Sequence, residues 1–318
     1  MAKLYALGEL LIDFQSVGTG GLKDTETFVK KAGGAPANVC AQAGKLGAKT
    51  AYLTKVGDDG FGEFLIESLR DIGVDVTHVL KDKKHLTSLA FVSLAESGER
   101  EFSFYRHDAA DLCLTPEEFD DVAFEPGDIL EFGSVALASE SARQTHRHLI
   151  QKAKQAGATI AFDPNLRFNL WEDHELLRDT VRSFAEYADI MKVGKDELEF
   201  LFGPLDDQTL SALFTGTLKV LLVTDGGAGA KLYLKDRQYD CPGYKVETID
   251  TTGAGDSFFG AMLGQVLLLG LSKRDLENGS APYAEMLQFA CKAGAYTTTG
   301  YGAIPSMGNR EQIERKVQ

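Results

Sequence analysis

The sequence predicts a doubly wound, mainly parallel α/β sheet flanked by helices, with a small β-sheet lid. Three observations predict it. Short apolar runs alternate with segments of helical period, glycines and a proline punctuate those segments, and two stretches instead alternate apolar with polar residues. Continuous apolar runs suit strands covered on both faces, whereas strict alternation suits a sheet with one wet face.

The continuous runs are residues 4–7, 51–56, 129–132, 159–162, 190–193 and 220–224, mostly ended by Gly, Asp or Pro. Between them, residues 36–46, 62–71, 141–156 and 174–187 carry apolar side chains three and four apart, as a helix with one buried face requires. Pro36 suits a first helical position, and Gly47, Gly73 and Gly157 suit helix stops. The resulting strand–helix rhythm is that of parallel strands joined by helical crossovers. The exceptions come next. Residues 87–106 read as two alternating strands around a turn at Glu96–Gly98, and residues 11–17 and 27–31 supply two more around Gly18–Gly21. Interleaved with the main rhythm, these four segments read as a lid inserted at about 11–31 and 87–106 into a single domain spanning residues 1–318. No Pro- or Ser-rich linker marks a boundary.

Composition excludes several function classes. The chain has 318 residues, 33 Lys and Arg against 47 Asp and Glu, and a net charge of −14. An acidic surface repels phosphate backbones, so no nucleic-acid partner is expected. With 44% hydrophobic and 25% charged residues it is an ordinary globular composition. The N-terminus lacks a secretory signal, and the strongest apolar segment, residues 262–271, is half a membrane span. A cytoplasmic protein with no membrane partner is expected. Cys40, Cys113, Cys241 and Cys291 are far apart with no C-x-x-C pair, which supports neither structural zinc nor a disulfide framework. His146 and His148, two apart, would face different ways on a helix and read as packing or surface residues.

The chemistry concentrates in two glycine-rich entrances to helices. Asp250-Thr251-Thr252-Gly253-Ala254-Gly255-Asp256 precedes an apolar helical run. Small residues there let backbone N–H groups and the helix dipole meet an anion, and Asp256 could take a proton from an attacking hydroxyl. The same residues also suit a plain Asp-capped helix after a tight turn. Ala32-Gly33-Gly34-Ala35-Pro36-Ala37-Asn38 is the second entrance. Bare backbone at Gly33 and Gly34 can lie against a ligand, and Asn38 offers a donor and an acceptor to hydroxyls or to its own backbone. Asp13 either accepts sugar hydroxyls or merely ends a strand. No P-loop, protein-kinase set or early G-x-G-x-x-G is present, which counts against a dinucleotide-dependent dehydrogenase.

The AGGAPAN and DTTGAGDSFFGA segments, in this order, resemble the two signatures of the ribokinase-like (PfkB-type) carbohydrate kinases. GELLIDF, LTKVGDDGFG, GEREFSFYRHDAADLCL, FDPNLRFNLW, KVGKDELEFL and LLVTDGGAGA extend the resemblance over nearly the whole chain, and within the family they are most similar to the fructokinases. The resemblance implies phosphorylation of a sugar hydroxyl by ATP with Mg2+, fructose at its 6-hydroxyl foremost, with no covalent intermediate. It makes Asp256 the base and the Gly253, Ala254 and Gly255 backbone the anion hole. It makes Asp13, Gly33, Gly34, Asn38 and Asn165 sugar contacts, and sets Arg167 beside the transferred phosphate. It sets Thr224, Gly226 and Gly229 along the nucleotide, with residues 288–299 flanking the adenine. Where the family carries N-x-x-E to hold magnesium through water, this chain has Gly194 and keeps Glu197. Asp250 and Thr252, with carbonyls of residues 295–302 and Ser306, match a K+ site. A homodimer through the lid is expected from the lid strands themselves, whose edges and one apolar face the main domain does not fully cover. Arg106 in the lid could pair with a substrate carboxylate, which keeps 2-keto-3-deoxygluconate kinase as an alternative. A non-catalytic sugar or nucleotide sensor on the same fold is the alternative of another class, against which the retained Asp256, anion hole and Arg167 argue.

Overall fold

A computed structural model describes residues 2–94 and 100–318. The chain opens with β1 (Lys3–Leu7), leaves for β2 (Leu11–Ser16) and β3 (Phe28–Gly33), and returns through α1 (Ala35–Lys45), β4 (Lys49–Gly57), α2 (Gly60–Asp71) and β5 (Val79–Asp82). After β6 (Leu89–Leu94) and β7 (Arg100–Tyr105) come β8 (Ile129–Gly133), α3 (Glu140–Gln155), β9 (Thr159–Asp163), α4 (His174–Ala185), β10 (Ile190–Gly194), α5 (Lys195–Phe202) and α6 (Asp207–Leu213). The last part runs β11 (Val220–Thr224), β12 (Gly229–Tyr233), β13 (Gln238–Pro242), α7 (Ala254–Leu268), α8 (Lys273–Glu277), α9 (Tyr283–Thr297) and α10 (Arg310–Lys316).

Nine strands form the main sheet in the order β13-β12-β11-β10-β9-β8-β1-β4-β5. From β11 to β5 every neighbour pairs in parallel, and β12 and β13 add an antiparallel hairpin at one edge. All six runs expected as strands are strands. The edge strands β5, β12 and β13 escaped the sequence reading because they are short and partly exposed, so no continuous apolar run marks them. Strand order reverses at β1, with β4 on one side and β8 on the other. Such a reversal opens a crevice beyond the carboxyl ends of the strands.

The four segments read as a lid form a separate sheet, ordered β3-β2-β6-β7. The hairpin is present, but its expected turn at residues 96–98 lies outside the described residues. Alternation gives this sheet two faces. Leu11, Asp13 and Gln15 point one way, towards the crevice, while Ile12 and Phe14 pack against α2 and its neighbours.

The main core fills both sides of the large sheet. On one, Phe132 and Phe162 stack at 4.7 Å beneath α3, α4 and α5, with fully buried His146 at their edge. On the other, α7 lies between α1 and α9 and is buried without a break from Ser257 to Val266. A helix apolar all round belongs inside a protein, which explains the 262–271 run. Gly260 permits the contact: a Cβ there would lie 2.5 Å from the Val39 carbonyl of α1. Among the described residues no helix is long and apolar enough to cross a membrane.

Candidate active site

Two cavities meet at the start of α7. One, of about 410 Å³, lies between the lid and the carboxyl ends of the strands; Asp13, Asn38, Asn165, Arg167 and Asp256 line it. The other, of about 330 Å³, runs between Thr224, Gly226 and Gly229 on one side and Gly294, Ala295 and Thr298 on the other. Thr251, Ala254 and Gly255 line both.

The α7 entrance is built for bare backbone. Gly253, just before the helix, has φ +75°, and a Cβ there would collide with Ala303. The Ala254 N–H donates to the Thr251 carbonyl at 3.3 Å; the other first-turn N–H groups of α7 lack intrahelical acceptors, and the positive end of the helix dipole lies at the junction. Asp256, in the first turn, accepts a 2.8 Å hydrogen bond from Asn38 Nδ2, which fixes its carboxylate in the lid-side cavity. Burial pushes Asp256 above the usual carboxylate range, opposed by Lys192, the Asn38 bond and Arg167.

Lys192 is the cation below this turn. Its Nζ sits 2.9 Å from Asp163, and an added Cβ on Gly255 would lie 3.0 Å from it. Burial works against its charge, but Asp163, Glu197 and Asp256 outweigh burial and hold the ammonium above its ordinary value.

On the lid side, Asp13 lies directly over Gly33, where any side chain would collide with its carboxylate. Gly34, at φ +116°, would drive a Cβ into the Glu9 carbonyl. Both glycines are steric requirements of the cavity. Burial pushes Asp13 up to about 7; Arg167 and Lys31 lower it, while Asp256 and Asp250 add to the rise. Asn165 is left-handed, at φ +43°, and nine-tenths buried. Glu197 supports the neighbouring loop: Oε1 accepts the Leu166 N–H at 2.6 Å and Oε2 the Gly194 N–H at 2.8 Å.

The model of the pfkB family of carbohydrate kinases matches residues 1–310. The chain belongs to that family. Fructokinase-1 of Zea mays is 40% identical over 316 residues, covering 98% of this chain and 97% of the maize protein. The fructokinase of Xylella fastidiosa with bound ATP superposes with a TM-score of 0.88 at 29% identity, covering 98% of this chain and 97% of that one. A double mutant of the Vibrio cholerae O395 fructokinase, bound to fructose, ADP and potassium ion, also gives 0.88, at 31% identity, covering 100% and 99%.

In this pfkB kinase most residues singled out from sequence line the paired cavities. Arg106 is the correction. It is buried at 5% exposure, ion-paired with Asp111, and donates to Ser88 Oγ and the Val135 carbonyl. All of these partners are inside the protein, and Arg106 is not among the cavity-lining residues. The position fits a brace at the root of the lid.

The two metal assignments also meet committed side chains. Both Glu197 oxygens serve backbone N–H groups, and Glu197 lines neither cavity. Asp250 Oδ1 accepts from the Thr252 N–H and hydroxyl, and Oδ2 from the Gly302 N–H and the lid's Gln15. Burial raises Asp250, yet these donors outweigh it and lower it to about 2. Among the described residues no three His, Cys, Asp or Glu groups come together as a ligand set. The residues present therefore do not fit a divalent ion held by protein side chains alone.

Sequence reasoning missed Lys192, Glu9 and the lid phenylalanines Phe102 and Phe104, all of which line the lid-side cavity. Lys192 carried a signal: a lone charge in a buried apolar strand needs a partner, because an unpaired buried charge is costly. Glu9 is of the same kind, 2% exposed and pushed up to about 7 by burial against the pull of Arg106.

Proposed function

We propose that this pfkB kinase is a fructokinase, transferring the γ-phosphoryl group of ATP to the 6-hydroxyl of fructose. The observation that carries the reading is the junction of two cavities at Thr251, Ala254 and Gly255, with a half-buried carboxylate, Asp256, on the lid side only. Fructose occupies the lid-side cavity, its hydroxyls held by Asp13, Asn165 and the Gly33–Gly34 backbone. ATP lies along Thr224, Gly226 and Gly229 with its terminal phosphate at the junction. Asp256 accepts the proton as the hydroxyl oxygen bonds to phosphorus; the bond to the β-phosphate oxygen breaks and ADP leaves. The N–H groups of residues 253–255 and Arg167 meet the negative charge of the transferring group. Magnesium arrives as the counter-ion of the ATP phosphates.

The similarity to fructokinases supports fructose over a sugar acid. So does Arg106, whose ion pair with Asp111 removes the cation that favoured a carboxylate substrate. Asp13 in the acceptor cavity suits hydroxyl donors and repels carboxylates. The test compares kcat/KM for fructose, glucose, ribose and 2-keto-3-deoxygluconate at equal ATP and magnesium. Fructose should lead. If the acid leads by tenfold, about 1.4 kcal/mol of transition-state preference lies the wrong way and the fructose assignment fails.

The enzyme is further proposed to act as a homodimer through the lid. Phe28, Phe91 and Tyr105 continue this lid face beyond Phe14, the part that α2 covers, and pack ring against ring, with Tyr105 63% exposed. Strands β3 and β7 are the open edges of that sheet. Open edges and apolar faces are commonly covered by association. Light scattering at micromolar concentration should give twice the chain mass; a clean 34.5 kDa species would count against the dimer.

A further inference from the structure

Asp13 and Lys31 stand directly opposite each other in the β2–β3 ladder of the lid, so their side chains share one face. Opposite charges placed this way ordinarily pair. Here, among the described residues, no ion pair joins them, and the Lys31 ammonium instead donates to Gln15 Oε1 at 2.5 Å. Gln15 lies two residues beyond Asp13 on β2. Its Nε2 donates to Asp250 Oδ2 at 3.1 Å, and the Gly302 N–H donates to the same oxygen at 2.8 Å. These neighbours fix which way the amide points, since a carboxylate only accepts and an ammonium only donates. Gly302 holds the Lys31 stem from the other side: a Cβ there would lie 2.9 Å from both Cδ and Nζ. A cavity of about 20 Å³, which Asp13, Gln15 and Lys31 all line, has room for one water-sized group.

We propose that Gln15 is a positioning residue for the sugar: anchored on Asp250, its amide oxygen holds the Lys31 ammonium off Asp13, so that the Asp13 carboxylate stays open to the hydroxyls of the acceptor. This rests on the reading that the lid-side cavity takes the sugar. Asp13 lines that cavity, whereas Gln15 and Lys31 line the small cavity and a larger one beyond it, beside Ile249, Asp250 and Tyr301. Gln15 therefore acts through Lys31 and not on the sugar itself. The ammonium is near enough for its charge to be felt at Asp13, so a short swing of the stem across the small cavity completes the pair.

The chemistry of the two side chains makes this restraint necessary. A lysine ammonium is a point charge on a flexible stem, and without Gln15 it turns to the nearest carboxylate that lacks a counter-charge. A sugar hydroxyl would then have to displace a charge-assisted hydrogen bond, about twice as strong as a neutral one. That cost falls on sugar binding. The transfer step is spared, because Asp250 keeps the Thr252 N–H, the Thr252 hydroxyl and the Gly302 N–H when Gln15 is lost. Those donors hold the turn before α7 in shape.

The experiment measures kcat and KM for fructose at saturating ATP and magnesium in the full-length wild type, Gln15→Met, Lys31→Met and the double variant. Methionine keeps the reach of either stem without its strong hydrogen bonds. Gln15→Met should raise the KM for fructose about tenfold, the order expected when a charged hydrogen bond must be displaced, and change kcat by less than about threefold. Lys31→Met alone should stay within about twofold of the wild-type KM, and added to Gln15→Met it should bring the KM back to about that range. A Gln15 that merely propped the lid would not be rescued by removing a second lid contact. An unchanged KM in Gln15→Met, or a raised one that Lys31→Met does not restore, overturns the proposal. If Gln15→Met does not fold, Gln15→Asn carries the same comparison, since its amide is one methylene too short to reach Asp250 and Lys31 together. Asp13→Asn tests the underlying reading. If it leaves the KM for fructose unchanged, the reading falls and takes the proposal with it; if it raises the KM while the rescue fails, the proposal alone falls.

Discussion

Asp256→Asn should lose about 10²–10⁴ in kcat while remaining folded, the range typical of a missing general base. The substitution keeps the shape and an oxygen able to accept the 2.8 Å bond from Asn38 Nδ2. It also removes a carboxylate that burial pushes above its ordinary range, so folding gives up little. What it removes is the proposed acceptor for the sugar proton. The same assignment sets the pH profile. A base with a raised pKa stays protonated to higher pH, so wild-type kcat/KM for fructose should begin to fall, as pH drops, above the ordinary carboxylate range. Asp13, pushed up to about 7, adds a loss in the neutral range. The check is circular dichroism beside fructose-dependent ADP release from pH 5 to 8. Turnover near the parent's in a well-folded variant would remove Asp256 from the mechanism.

Much of this site was legible because its demands are local. Gly253 needs a left-handed backbone, Gly33 and Gly34 need the absence of a Cβ, and Asp256 needs a place in the first turn of a helix. Each leaves a mark within a few residues. The fold was legible for a related reason: strands buried on both faces are largely apolar, and α2, α3 and α4 each bury one stripe. Contacts between distant segments were not legible. Nothing near Arg106 in sequence distinguishes a ligand-binding arginine from one committed to Asp111; only the packing of the lid root on β8 and its neighbours decides it. The Lys192–Asp163 pair joins two strands. Glu197 was legible as a residue but not as a role, since its two backbone partners lie on different segments.

The charges around the junction explain why one arginine should matter so much. Asp13, Asp163 and Asp256 surround it, with Glu131 and Glu9 buried close behind, and Lys192 is already paired with Asp163. Phosphate entering this site meets carboxylates on several sides. Arg167 is the cavity-lining cation whose charge is felt by both Asp13 and Asp256.

Arg167→Met should therefore lower kcat by about 10²–10³, the cost of losing one preorganised donor to the transition-state charge. Met keeps the length and packing of the stem, and the backbone bonds of Glu197 to Leu166 and Gly194 hold the loop in place. The loss should appear mainly in kcat. The KM for fructose should change less, because Asp13, Asn165 and the Gly33–Gly34 backbone remain. With its opposing cation gone, Asp13 should also stay protonated to higher pH, shifting the acid limb of kcat/KM upward. Arg167→Lys tests the geometry, since an ammonium restores charge but not the planar fork that grips two phosphate oxygens. It should recover only part of the rate. Steady-state kinetics with fructose and ATP varied in turn decides the matter. A lysine variant as fast as the parent would reduce the role to bare charge, and a methionine variant with unchanged kcat would place Arg167 outside the transfer step.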